Sequence, residues 1–472
     1  MPTAAPLGAL SLLPVVLALG LAFWTRNAAL SLLAGCVVGG LLAGLDPATG
    51  LSTILKASLG TSDFIWVMMI EVAVGVMIAF YLRAGVIGAF AAWASTRLTS
   101  RRAAAGFAWG LGLFVFFSDY FSPLFAGPIA RPLTDRYRVS REQLAYLLDS
   151  TSAPVATLLP LSGWAVYIAG LMVGHGPIAS TADGMALFIR AIPYNLYGWL
   201  ATLMAGALAF GLLPHFGPMR RAEARTIQEG KVLRDGAVPL TGGELESIHP
   251  RSGRRPGLVP YLLVPVAIVL GTALGSFFAI GEVKILEAFL AAVMYQAAAL
   301  ALGRHFESVT DAMDVAMAGI KGVLPAIVIL ALAYAINSVS KTLGAQQFIV
   351  SATEGWMTAA FLPAATFATG ALVSFFTGTS WGTYAILAPI VMPVAFNLSG
   401  GAVDTQVLFT VGALVGGGLF GDHASPVSDT TCLSSFGAGS DHMDHVMTQL
   451  PYAVTAAAVS MVALVAAGVL AS

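Results

Sequence analysis

The chain has 472 residues, of which 57% are hydrophobic and only 10% charged, with a formal net charge of −1. Soluble domains run nearer about 45–50% apolar and about 25% charged, so a soluble enzyme, a disordered chain and a nucleic-acid binder are excluded. What remains is a polytopic all-α membrane protein without a sizeable soluble domain, and two cysteines, Cys36 and Cys432, are too few for a disulfide framework.

A helix needs about 20 apolar residues to cross the hydrocarbon. Runs of that kind place spans near 7–24, 28–45, 64–82, 104–118, 143–173, 186–212, 258–280, 283–303, 322–340, 358–376, 380–398, 405–421 and 447–470. The alternation of a membrane barrel is missing. No basic residue precedes the first run at Leu7, so that run reads as a retained span rather than a signal peptide.

Residues 214–257 differ from everything else. Arg220, Arg221, Arg225, Lys231, Arg234, Arg251, Arg254 and Arg255 lie there among prolines and glycines. This reads as a polar loop, cytoplasmic by the positive-inside rule, joining a first half, 1–213, to a second, 258–472. Let 104–131 and 358–398 be re-entrant hairpins. Then Arg26, Arg97, Arg101, Arg102, Arg131, Arg136, Arg138, Arg141, Arg304 and Lys321 also fall inside, and only Lys56, Arg190, Lys284 and Lys341 outside. Two full spans over 104–131 would leave 131–141 inside as well, so charge alone does not decide the hairpin. Both termini are expected outside.

The halves resemble each other. Phe116-Phe117-Ser118-Asp119-Tyr120 answers Phe375-Phe376-Thr377-Gly378-Thr379, and Gly127-Pro128-Ile129 answers Ala388-Pro389-Ile390. Ala153-Pro154-Val155 answers Ser425-Pro426-Val427, and Leu161-Ser162 answers Leu433-Ser434. Five crossings and one hairpin per half make the second half inverted. Inverted repeats with broken helices are a secondary-transporter architecture, with the site where the repeats meet.

Polar groups inside membrane segments are costly and mark functional candidates. The stretches 118–123 and 377–383 interrupt apolar runs and read as hairpin tips, carrying Asp119, Thr377, Thr379 and Ser380. Exposed backbone there is tolerated only if buried in protein or lining a cavity. The second pair is Asp149-Ser150-Thr151-Ser152-Ala153-Pro154 and Asp422-His423-Ala424-Ser425-Pro426-Val427-Ser428-Asp429-Thr430. Proline breaks the helix in each. Freed carbonyls, hydroxyls and a carboxylate suit a hard monovalent cation. Glu71 stands alone in an apolar run. It is read equally as paired, for instance with Arg83, or as coupled to ion or proton movement, with Asn337 a weaker counterpart and His423 a further coupling candidate.

Asp441-His442-Met443-Asp444-His445 has two histidines on one helix face, but no further cluster supplies the remaining ligands zinc wants. These residues are expected to cap the second broken helix, with His445 as a pH-responsive group. No metal beyond Na+, no cofactor and no enzymatic nucleophile are expected. His175 is placed in an outer loop. Glycine runs such as Gly416-Gly417-Gly418 lack the following Lys-Ser/Thr of a phosphate loop and read as helix-packing surfaces.

At Ser425-Pro426-Val427-Ser428-Asp429-Thr430-Thr431, Leu433-Ser434-Ser435 and 441–452 the chain resembles the NhaC family of Na+/H+ antiporters. The stretches 375–382 and 149–154 fit the same family. The resemblance implies a multi-pass protein of the cell membrane within the ion-transporter superfamily, and a homodimer of scaffold and elevator-type transport domains. It also implies Na+ and H+ as transported or coupling ions. Relatives are assigned to Na+/H+ exchange, malate/lactate exchange or amino-acid transport, so two expectations stand. One is antiport, with Na+ and H+ competing for Asp429 or Asp149. The other is ion-coupled movement of a small amino acid or carboxylate at the hairpin tips, where Asp119 suits a cation or amine better than a dicarboxylate.

Overall fold

The computed structural model describes residues 7–471 apart from 26, 47–48, 95, 117, 161, 246, 282, 354–357 and 359–360. Arg26, Phe117 and Leu161, used above for sidedness and repeat landmarks, lie outside the described residues. Among the described residues the fold is helical, with one isolated bridge, Pro239 to Asp441, and no strand. Among the described residues, seven helices are long and apolar enough to cross a membrane.

The first half opens with α1 (Leu13–Thr25), α2 (Ala28–Leu42), α3 (Gly50–Leu59), α4 (Ser62–Ala84) and α5 (Val86–Ala94). A hairpin follows, α6 (Arg101–Phe114) and α7 (Phe121–Arg136). Next comes an interrupted helix, α8 (Arg141–Ser150), α9 (Ala153–Ala156) and α10 (Gly163–Met172), then α11 (Thr181–Ala191) and α12 (Leu196–Ala209). After α13 (Gly217–Glu229), the second half runs α14 (Val264–Ile280), α15 (Ile285–Leu302), α16 (Val309–Thr342) and α17 (Ala345–Thr353). Then come a hairpin, α18 (Leu362–Thr377) and α19 (Ser380–Leu398), an interrupted pair, α20 (Thr405–Ala424) and α21 (Asp429–Ala438), and α22 (His442–Ala471).

The starts are written in the sequence. Ser100, Ser140, Ser162, Ser308 and Asp404 each accept a backbone N–H from the first turn of the helix they open, satisfying donors that have no partner within the helix. Ser180 and Asp183 form a capping box on α11.

Two bodies result. One core gathers α1–α4 and α14–α16 around Cys36, Ile70, Val74, Phe289 and Ile336. The rest gathers α10–α12 with α18–α20 around Trp164, Tyr197, Phe367 and Leu419, and α6–α8 with Tyr452 of α22. Val427, Leu433 and Phe436 at α21 pack into the first core and join the bodies.

Several expected boundaries move. The run 143–173 is three helices, because hydroxyls, Pro154 and the segment 157–162 offer alternatives to the helical ladder. The run 186–212 is two, since Pro193 and Asn195 divide it and the Asn195 side chain caps α12 at Gly198 N, 3.1 Å away. The run 322–340 is the second part of a 34-residue helix whose first turns carry Asp311, Asp314 and Lys321. Glu71 does not pair with Arg83. They are twelve residues apart on α4, about 18 Å of helix rise, and Arg83 instead holds Asp311 at 2.5 Å and the His305 carbonyl at 3.1 Å.

The 214–257 segment is not a free loop. It contains α13, and its arginines reach into the bundle. Arg225 donates to Glu142 at 2.9 and 3.0 Å, Arg234 Nε donates to Asp444 at 2.8 Å, and Arg101 pairs with Glu223. Val238 N donates to Asp441 at 2.8 Å, and Gly242 N to the Gly322 carbonyl at 2.8 Å. The segment thus crosses from α22 to α16. Arg234→Gln removes the cation facing two nearly buried carboxylates, a loss of about 1–3 kcal/mol. It is expected to lower Tm of the purified protein and to speed proteolysis within 230–257; an unchanged digestion rate would count against the anchoring role.

Candidate functional site

The chemistry-bearing residues converge because each hairpin turns inside the bundle. At the tip of α18–α19, Gly378 adopts φ +66° and closes α18, and a Cβ there would strike the Val427 carbonyl of the second break. Only glycine lets the tip sit against the break at that angle. Thr379 then opens α19. At the other tip, Asp119 accepts the Tyr120 amide at 3.0 Å and the Trp164 indole N–H at 3.0 Å.

A cavity of about 860 Å³ lies between these parts. Ser118, Asp119 and Tyr120 line it from one tip and Thr377, Gly378, Thr379, Trp381 and Gly382 from the other. Val427 and Asp429 come from the second break, Tyr334, Asn337, Ser338 and Lys341 from α16, and Trp164 and Tyr167 from α10. The cavity sits at the start of α4 and the end of α16. The linker meets the other ends of those helices, at Arg83 and Asp311, so the cavity faces away from the linker.

Behind the cavity is a buried polar cluster. Asp429 accepts the Tyr120 hydroxyl at 2.7 Å and is hydrogen-bonded to Tyr334. Asp422 accepts the Ser380 hydroxyl and faces the Ser428 hydroxyl at 3.4 Å, which in turn lies 3.0 Å from that of Thr430. The Asp422 carbonyl, freed by the break, takes the hydroxyls of Thr430 at 3.1 Å and Thr431 at 2.8 Å. Asp149 accepts the Gln449 amide at 2.7 Å and the Ser434 hydroxyl at 3.3 Å. Asp119, Asp149 and Asp422 are 5%, 1% and 2% exposed. The four acids lie close enough to repel one another, yet among the described residues none is paired with Lys or Arg.

The two breaks meet. His423 hydrogen-bonds with Ser150 at 2.8 Å through Nε2 and with Tyr197 at 2.8 Å through Nδ1. Pro154 and Pro426 are both buried. Ser425 donates to the Phe375 carbonyl at 2.7 Å, tying break to hairpin. Thr151 and Ser152 turn inward to the Leu147 and Asp149 carbonyls, at 2.7 Å each, and so serve the local backbone rather than the cavity. His442 contacts the Pro426 carbonyl at 2.9 Å, and His445 contacts Ser435 and Gln449 at 2.8 Å each. Among the described residues no three His, Cys, Asp or Glu form a metal-holding group. Glu71 lies apart, fully buried, and among the described residues both its carboxyl oxygens lack a hydrogen-bond partner.

Residues 155–469 match the Na+/H+ antiporter family. The chain belongs to that family. As such it is a multi-pass membrane protein and a secondary transporter with small ions as substrates, in a family of transporters rather than enzymes. A Haemophilus influenzae protein described as uncharacterised is 32% identical over 97% of this chain and 90% of its own length. A second protein of that organism, described as an uncharacterised Na+/H+ antiporter, is 41% identical over 20% of this chain and 19% of its own. The solved Alcanivorax borkumensis YdaH transporter aligns over 96% of this chain and 98% of its own, at 13% identity and a TM-score of 0.33, a likeness too distant to bear on fold or function.

The cavity is also lined by residues that the sequence did not single out as site residues: Trp66, Trp164, Tyr167, Tyr334, Lys341 and Trp381. One signal was available. Tyr334, Asn337, Ser338 and Lys341 recur at helical spacing on one face of α16. Gly378→Ala forces a left-handed backbone at about 1–2 kcal/mol and adds a clash with Val427. It is expected to lower Tm clearly, whereas Gly400→Ala, also at positive φ but with open space around it, bears only the backbone cost. Equal shifts for the two variants would show that the tip does not press on the break.

Proposed function

We propose that this antiporter-family protein exchanges Na+ for H+ at the second helix break, in the manner of the NhaC type that its sequence resembles. One observation carries the reading: four acids gathered inside the bundle, none of them paired with Lys or Arg among the described residues. Buried charge of one sign is expensive unless a cation or a proton neutralises it. The Asp422 carboxylate with the hydroxyls of Ser380, Ser428 and Thr430 supplies the hard oxygen donors that Na+ takes, and Thr377, Thr379 and Ser425 hold the tip and break around it. Asp429 stands at the cavity wall and meets the entering ion first. Na+ binds when these acids are ionised and leaves when they are protonated, so competition for one site couples the two flows.

Asp149 and Asp119 contribute negative field and, with Glu71, form the further candidates for carrying a proton. His423, with both ring nitrogens engaged, joins the breaks. The paired hairpins and interrupted helices support two inverted repeats, and the separate cores support a transport body moving against a scaffold, in a homodimer. With the linker in the cytoplasm, the cavity described here faces outward.

The test is Na+-driven proton movement in proteoliposomes. Removing a charged ligand costs about 1.5–3 kcal/mol, so Asp422→Asn and Asp429→Asn are each expected to need roughly ten- to hundred-fold more Na+ for half-maximal exchange. Unchanged Na+ dependence in both variants would dismiss the assignment.

A further inference from the structure

We propose that His442, Ser435 and His445 form a site for one bound proton, held between the two imidazoles by the serine hydroxyl and balanced by Asp149. The inference rests on the exchange reading for what that proton does, since it makes these histidines the holder of the exchanged proton. That the site takes a proton rests on its hydrogen bonds alone.

The turn after α21 builds the site. Gly439 takes φ +63° and ends α21, and α22 starts at His442. The chain folds back there. His442 and His445, three apart and so on one helix face, both turn to Ser435 of α21. Ser435 Oγ lies 3.0 Å from His442 Nδ1 and 2.8 Å from His445 Nδ1. All three side chains are buried.

The outer nitrogens fix the tautomers. His442 Nε2 faces the Pro426 carbonyl at 2.9 Å, an acceptor only, so this nitrogen carries a hydrogen. Gln449 donates its amide Nε2 to Asp149 at 2.7 Å and to the His423 carbonyl. Its oxygen therefore meets His445 Nε2, at 2.8 Å, and that nitrogen carries a hydrogen as well. A neutral imidazole has a single N–H. Both Nδ1 atoms are then lone pairs aimed at one hydroxyl, which also lies 2.8 Å from the Thr431 carbonyl. One hydrogen faces three acceptors. Thr431 keeps its helical amide, but one buried Nδ1 goes unmet, which is costly. A single added proton closes the count. One histidine becomes an imidazolium and donates Nδ1–H to Ser435, and Ser435 donates to the other. The hydroxyl fills the space between the rings, so the pair is built for a proton and not for a bridging metal.

A buried imidazolium needs a counter-charge. Asp149 Oδ2 is 3.8 Å from His445 Nε2, and Gln449 bonds to both. On the interior side α20 brings His423, with the Tyr197 and Tyr146 rings of α12 and α8 against it. On the linker side Asp441 neighbours His442. Arg234 stands 3.9 Å from Asp441 and 2.8 Å from Asp444, Arg141 donates to the Ala438 and Gly439 carbonyls, and Glu142 is paired with Arg225 of α13. Of the acids around the pair, Asp149 is the one with no Lys or Arg partner among the described residues, and a proton on the histidines offsets it while leaving it ionised.

Solid-state NMR of the purified full chain in lipid vesicles, with 15N in the histidine rings, separates protonated from bare ring nitrogens. With labelled serine, contact through Nδ1 marks the pair, whereas His423 meets Ser150 through Nε2, so the wild-type count does not hang on any variant folding. Between about pH 9 and about pH 5, the range in which histidines change charge, the pair is expected to take up one proton and not two. In His442→Gln and His445→Gln the remaining histidine is expected to bind a proton about tenfold or more weakly, as loss of a charge-assisted hydrogen bond dictates. The site is overturned if both histidines stay neutral in the wild type, if they charge independently, or if the remaining one titrates as before. In proteoliposomes both variants are expected to lose most Na+-driven proton movement while Na+ still raises their Tm; unchanged movement in both would remove the exchanged-proton role. Absence of Na+-driven proton movement in the wild type would instead bring down the exchange reading and leave the NMR result standing.

Discussion

The constraint on which the rest depends is the confinement of Asp119, Asp149, Asp422 and Asp429 inside the bundle with no Lys or Arg paired to them among the described residues. Their hydrogen-bond partners are almost all neutral donors: an indole, phenols, an amide and serine and threonine hydroxyls. A lysine or arginine in the same places would fix each acid in its charged state. Neutral donors steady the carboxylates while leaving their balance to whatever enters, which is why the cluster suits exchange of cations and protons better than simple stabilisation of the fold.

The breaks bring those acids and freed carbonyls to one place, and three of the freed carbonyls of the second break are answered by side chains. The Pro426 carbonyl meets His442, the His423 carbonyl meets Gln449, and the Asp422 carbonyl meets Thr430 and Thr431. This accounting is what a bilayer demands of irregular backbone. It also explains the histidines and glutamine of the 441–452 stretch, which finish the break rather than hold a metal. Close helix contact completes the arrangement: Gly417 and Gly370 face each other across α20 and α18, and Gly127 meets Gly437 across α7 and α21.

Charge is distributed by end. Arg83, Arg101, Arg141, Arg225 and Arg234 are spent at the linker end, on acids and carbonyls that tie neighbouring helices and the linker together. Lys341 stands at the opposite end, in the cavity wall. The segment bonds to both α22 and α16 and so links the two bodies.

The sequence by itself determined the class and the cast. Its apolar runs set the membrane helices, its proline and hydroxyl clusters marked both breaks and both tips, and the aspartates named from it are those that gather in the interior. These are local properties: helix length, a missing amide, the cost of a carboxylate in hydrocarbon. The tertiary structure alone decided which acid faces which. It placed Asp429 and Asp119 on the cavity and Asp149 behind it, parted Glu71 from Arg83, drew Lys341 from a presumed outer flank into the wall, and folded 214–257 onto the bundle. Those outcomes depend on distances between residues hundreds apart in the chain, fixed by how helices pack, and no local pattern encodes them.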